Sequence, residues 1–172
     1  MALSLLGRET ALLSGDFDTA REMVDRAVAL NPNSASVWGQ RGWTYLIAGQ
    51  PEEAIRSFER AVRLSPFDPF LFSTFAGMSA AFISLGRFDE AVAAAKKALS
   101  QNQTFVMTYR CLAAALAQLG RDAEARETAA RLLELEPNFH ISEWMAHRVL
   151  RKVSGDDGRF FIDGLRKAGL PE

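Results

Sequence analysis

Cysteine is almost missing from this chain: Cys111 stands alone among 172 residues. A single thiol excludes an internal disulfide and fits a reducing compartment, so a cytoplasmic location is expected. Excess charge of one sign is missing too. Lys and Arg number 20 against 21 Asp and Glu, a formal net charge of −1. Neither nucleic acid nor an anionic membrane is therefore indicated as a partner. No apolar run is long enough for a membrane-spanning helix, so insertion is not expected. Low-complexity segments and flexible linkers are absent, and one domain is expected at this length. The first residues, MALSLLGRETALL, lack a basic stretch and carry Arg8 and Glu9 within them. They read as a helix rather than a secretory leader.

Glycine is sparse but placed at intervals. Gly15, Gly49, Gly86 and Gly120 follow one another at steps of 34, 37 and 34 residues. Ala20, Ala54, Ala91 and Ala125 keep the same steps, and Pro32, Pro66 and Pro137 keep the same phase. The repeated unit is clearest over residues 35–68. Trp38, Tyr45 and Ile47 lie at helical spacing in its first half; Ala54, Phe58, Ala61 and Val62 do so in its second. Gly49 ends the first helix, because a helix end needs a left-handed residue. Pro51 suits the opening turn of the second helix, and Pro66 prevents that helix from continuing. Gly42 and Ala54 are small, which lets the two helices cross closely. Neither helix is long enough to be stable alone, and each has an apolar stripe that needs a neighbour.

A helix–turn–helix period of 34 residues resembles the tetratricopeptide repeat. Trp38, Gly42, Tyr45, Ala54, Phe58, Ala61 and Pro66 sit on signature positions of that family, and Arg41 departs from the usual leucine. The resemblance implies an all-α fold, a right-handed superhelix or α-solenoid. Four repeats are expected at 1–34, 35–68, 72–105 and 106–139, with two capping helices over 140–172. The first repeat departs most, with Ser4 aligned to Trp38 and Arg8 to Gly42. Pro69, Phe70 and Leu71 form an insertion, with Phe70 and Leu71 expected to lengthen the next helix by a turn. The third repeat has Asn102 and Gln103 where the others have proline. In the fourth, Leu132 replaces the usual alanine.

The family's function implies protein–protein interaction through a concave groove lined by the first helices, and no enzymatic activity. Carried over, the groove positions are Ser36, Gly39, Trp43 and Leu46 in the second repeat. They are Ser73, Ala76, Ala80 and Ile83 in the third, and Met107, Arg110, Ala114 and Ala117 in the fourth. The lysine and asparagine with which one subgroup grips chaperone carboxyl termini are missing. Gly39 and Trp43, Ala76 and Ala80, and Arg110 and Ala114 stand in their places. A peptide or partner helix is expected in a nearly uncharged groove, with Trp43 as anchor and Arg110 pairing with a carboxylate. Buried contact between repeats is the alternative role for Trp43, Leu46 and Ile83. A second copy of the chain, or its own tail, is an alternative occupant.

The tail shows no fifth turn glycine in phase. Residues 141–153 read as an amphipathic helix and 155–158 as a loop. A final helix carries Phe160, Phe161, Ile162 and Leu165, and Gly169, Leu170 and Pro171 form its stop. The ending FFIDGLRKAGLPE resembles the carboxyl-terminal ends of some bacterial class III adenylate and guanylate cyclases, which carry such repeats behind their catalytic domain. That resemblance implies a regulatory or dimerisation module of a bacterial signalling enzyme.

Chemistry elsewhere is thin. His140, Glu143 and His147 share one helix face, but their spacing matches neither H-E-x-x-H nor H-x-x-E-H, so no metal is expected. Cys111 has no histidine in its repeat and reads as a small core residue. Asp156 and Asp157 lie between glycines in the tail loop. No glycine-rich segment carries the lysine of a phosphate loop, and no cofactor is expected.

Overall fold

The computed structural model describes residues 5–7, 9, 16–146 and 159–172. Every regular element among them is a helix. In chain order they are α1 (Phe17–Leu30), α2 (Ala35–Ile47), α3 (Pro51–Leu64), α4 (Leu71–Ser84) and α5 (Phe88–Gln101). Then come α6 (Val106–Gln118), α7 (Asp122–Leu135), α8 (Ile141–Ala146) and α9 (Arg159–Lys167). The helix of the first 14 residues, apart from residues 5–7 and 9, lies outside the described residues. So do Gly15, residues 147–153 of the expected tail helix, and the loop with Asp156 and Asp157.

Local chemistry sets the ends. The Asp16 carboxylate accepts the Thr19 N–H at 3.1 Å to open α1, and Ser34 Oγ accepts the Val37 N–H at 3.4 Å to open α2. Pro51 begins α3, with Glu52 and Glu53 complementing the dipole in its first turn. The turn glycines Gly49, Gly86 and Gly120 have φ of 74°, 70° and 71°, and Gly169 has 85°. Each completes the same double bond. In the first, Gln50 N–H donates to Tyr45 O at 2.9 Å and Gly49 N–H to Leu46 O at 3.0 Å. This is the Schellman arrangement, and it repeats after α4, α6 and α9. Asn102 replaces the missing proline by accepting the Thr104 N–H on its side-chain oxygen at 2.9 Å.

The helices pair in sequence as hairpins, α2 with α3, α4 with α5 and α6 with α7. Successive hairpins stack, so α2 meets α4 and α4 meets α6. The result is a helical solenoid with α2, α4 and α6 as one row of neighbours. That position explains why α4 and α6 are apolar nearly all round: they are covered on several sides.

Phe58 is the tightest point of the core. A β-carbon at Gly42 would lie 2.5 Å from its ring, and one at Gly77, in the next repeat, 2.4 Å. Trp43 meets the same ring edge-on at 5.8 Å between centroids. One repeat on, the aligned positions are Ser79, Ala95 and Cys111, all fully buried. Volume is exchanged: glycines flank the phenylalanine, larger residues flank the alanine. Ser79 Oγ donates to Ala91 O at 2.8 Å, and Cys111 Sγ lies 3.7 Å from Ala76 O.

Two expectations need correction. In the first repeat Gly7, not Arg8, takes the place of Gly42. A β-carbon there would sit 2.9 Å from Val24 Cγ1 and 3.0 Å from Ala20 O, and Val24 aligns with Phe58. At Gly7 the packing is therefore offset by one residue from the sequence phase. Phe70 also does not lengthen α4. The Asp68 carboxylate accepts its N–H at 2.8 Å, holding residues 68–70 in a turn. Phe70 is left 71% exposed. The Arg41 departure is absorbed by the fold. Its guanidinium donates to Asp25 at 2.7 Å and to Ser57 Oγ at 2.6 Å, and lies 4.1 Å from the Tyr45 ring centroid.

Candidate functional site

The row α2, α4 and α6 is the face expected to be concave, and its far half is covered by the chain itself. α9 packs on α6 and reaches α4. The two backbones touch at Gly164, where a β-carbon would lie 2.5 Å from Ala114 O and 2.8 Å from Ala114 Cα. Gln118 grips both ends of the helix. Its Nε2 donates to Phe160 O at 2.6 Å and to Asp163 Oδ2 at 3.1 Å, and its Oε1 accepts from Lys167 Nζ at 3.2 Å. Phe160 meets Phe88 edge-on at 5.5 Å, and Phe161 stacks near Trp144 at 5.2 Å. Pro171 O accepts the Ile141 N–H at 2.8 Å, tying the end of the chain to α8. Phe161, Ile162, Leu165, Ala168 and Leu170 are buried by this docking. The final helix packs on the first helix of the last repeat and reaches that of the repeat before it; the chain's own tail was one of the occupants expected there.

This divides the sequence-predicted groove residues. Leu46, Ala76, Ala80, Ile83, Ala114 and Ala117 are buried at 5% exposure or less. Met107 is half-buried against the core. Arg110 is only 11% exposed in its side chain and pairs with Glu136. Its guanidinium lies 4.8 Å from the Phe139 ring centroid and 5.7 Å from that of Trp144. Its Nε is buried with no hydrogen-bond partner among the described residues.

Ser36, Gly39, Trp43 and Ser73 do come together. They line an open cleft of about 230 Å³ between α2 and the start of α4. Gln40, Phe70 and Thr74 are among the further residues that line it, and sequence reasoning did not place them there. The Gln40 Oε1 is buried with no hydrogen-bond partner among the described residues. Phe70 enters from the three-residue insertion. Gly39 has room to spare: a β-carbon there would meet only Thr74 Oγ1, at 3.8 Å.

The reactive side chains stay apart. Among the described residues no group of three or more His, Cys, Asp and Glu could hold a metal ion. His140 Nδ1 lies 3.0 Å from Asn138 O, Glu143 is exposed, and His147 lies outside the described residues. Burial pushes the Cys111 thiol up to about 12. At pH 8 it is therefore protonated as well as enclosed, and a disulfide reagent is expected to label it only as fast as the chain unfolds. Labelling at the rate of a free thiol in the folded protein would show that the helices around Cys111 open locally.

Two tetratricopeptide-repeat family models match residues 10–69 and 82–146. The chain is similar to the TPR repeat-containing protein YpiA of Bacillus subtilis (strain 168), at 26% identity over 131 residues. That match takes in 76% of this chain but 30% of YpiA, so the chain spans less than a third of that relative. The crystal structure of MamA has a TM-score of 0.67 at 21% identity, covering 94% of this chain and 91% of MamA. The first TPR of Spaghetti (RPAP3), bound to the HSP90 peptide SRMEEVD, has a TM-score of 0.57 at 24% identity. It covers 71% of this chain and 97% of that one. The last two likenesses are likenesses of fold. Among the described residues no helix is long and apolar enough to cross a membrane.

Proposed function

The chain belongs to the tetratricopeptide-repeat family, and we propose that it is a bacterial, cytoplasmic protein–protein interaction module with no catalytic role. Its four repeats and tail act as one unit, and a partner segment binds in the open half of the concave face. The observation that carries this is the cleft at Ser36, Gly39, Trp43 and Ser73. It sets an aromatic wall of Trp43 and Phe70 beside the small residues Ser36, Gly39 and Ser73 in an open cleft. An extended peptide supplies an apolar side chain for the wall, and the small residues let its backbone come close. A family member in complex with a peptide supports the same use of the fold. The lysine and asparagine with which one subgroup of the family grips chaperone carboxyl termini are missing, which argues against a chaperone tail as the partner.

Gly39→Leu tests this reading. The leucine fills the cleft without touching the core, and replacing a mid-helix glycine should stabilise α2 by about 0.5–1 kcal/mol. Partner capture, measured by pull-down from the parent organism, should fall at least about tenfold while the melting temperature holds or rises. Equal capture by the variant would move the binding site away from this cleft.

The second reading is a regulatory or dimerisation module of a signalling enzyme such as a cyclase. It is favoured by FFIDGLRKAGLPE, which forms the docked α9 rather than a free tail. A second copy of the chain is then the partner, and light scattering across a concentration series would show a dimer that Gly39→Leu disrupts.

A further inference from the structure

A second notch lies between the first two repeats, lined from α1, α2 and α3. Arg56, Arg60 and Arg63 follow one another at i, i+4 and i+7 along α3 and form one wall of a notch of about 400 Å³. Trp38 and Val28 form the other. The Trp38 indole N–H donates to Pro32 O at 2.8 Å, so the ring is held in place. Arg41 floors the notch. Its guanidinium lies 5.7 Å from the Trp38 ring centroid and 4.1 Å from that of Tyr45.

Charge in the notch is unbalanced. Four guanidinium groups meet two carboxylates, Asp25 and Glu53. Both carboxylates are already engaged. Asp25 accepts from Arg41 and from Tyr45 Oη, each at 2.7 Å. Glu53 accepts from Arg56 and lies 3.7 Å from Arg41. That pairing holds the Glu53 carboxyl below its ordinary range, the Arg56 hydrogen bond being the larger cause. Arg60 has no ion pair among the described residues. Arg63 has only Glu59, at 3.8 Å on the surface, a contact of little strength.

We propose that this notch docks an acidic segment of a partner protein, with its carboxylates on Arg60 and Arg63 and an apolar side chain against Trp38. The apolar wall and the limited volume favour a short peptide segment. The chain as a whole is slightly acidic, and Glu52 and Glu59 flank the arginines on α3, which disfavours an extended polyanion such as nucleic acid. Arginine's planar fork suits bidentate carboxylate recognition, and a neighbouring tryptophan adds desolvated area.

The test uses the whole chain and a fluorescein-labelled peptide of glutamates around a central leucine, read by fluorescence anisotropy at low salt. The parent should bind, and the double variant Arg60→Glu, Arg63→Glu should bind at least about tenfold more weakly. Both side chains reach solvent, so circular dichroism should show the fold intact. Lys96→Glu with Lys97→Glu changes the net charge equally on another repeat and should leave affinity unchanged. Gly39→Leu should also leave it unchanged, which separates this surface from the concave cleft. The proposal is overturned if the parent does not bind, if the arginine variant binds like the parent, or if the lysine variant loses as much.

Discussion

Gly164→Leu should lift α9 off the concave face. The atoms a side chain would strike are Ala114 O and Cα, 2.5 and 2.8 Å from the β-carbon position. These are backbone atoms, so no rotamer change relieves the contact. Within α9 itself the substitution is favourable, because leucine is the better helix former. Any loss therefore reports the crossing. Overpacking alone costs about 1–3 kcal/mol. Expulsion of the helix returns Phe161, Ile162 and Leu165 to water at about 1.5–3 kcal/mol each, so the loss should exceed about 3 kcal/mol. The melting temperature should fall to that of a chain truncated after residue 158. A dye specific for apolar surface should bind both proteins alike, since Ala114, Ala80 and Ile83 become accessible. A Gly164→Leu protein that melts like the parent and binds no dye would show that α9 can ride higher on α6 than its contacts indicate.

What was legible in the sequence follows the range of the forces involved. Gly49, Gly86, Gly120 and Pro51 act within one turn, so their roles could be read from spacing and recur in the structure. Arg41 could be read as a departure, but not its remedy. Asp25 and Ser57 each lie 16 residues away and reach it only after three helices pack. The one-residue shift in the first repeat was hidden for a similar reason. Arg8 kept the phase of the period, while Gly7 is set by contact with Val24. Gly164 was the least legible of all. Taken locally it is a weak point inside a short helix, and only the crossing over Ala114 gives it a purpose. Of the candidate site, Ser36, Gly39, Trp43 and Ser73 line one cleft, because their spacing along α2 and the start of α4 puts them on facing surfaces. The positions further along the groove did not stay open, because no pattern in the tail says which face it will cover.

Phe58→Ala should be among the most costly substitutions in the chain, at about 3–5 kcal/mol in urea unfolding. The side chain is fully buried, and it joins two repeats rather than one, with Gly42 on its own hairpin and Gly77 on the next. Loss of the ring therefore opens a void at an interface that the solenoid needs for nearest-neighbour stability. The reverse change should also destabilise. Gly42→Leu drives a side chain into the ring from 2.5 Å, and overpacking of that kind costs about 1–3 kcal/mol or more. The ring has little room to yield, because it is fully buried and packs so closely on Gly77 that a β-carbon there would also lie only 2.4 Å from it. A double-mutant cycle makes the claim specific. Gly77→Ala should be destabilising in the parent but close to neutral, or stabilising, in the Phe58→Ala background, where the new methyl enters vacated space. Additive losses in that cycle would mean that Phe58 and Gly77 do not share a contact, and that the second and third repeats are joined by other side chains.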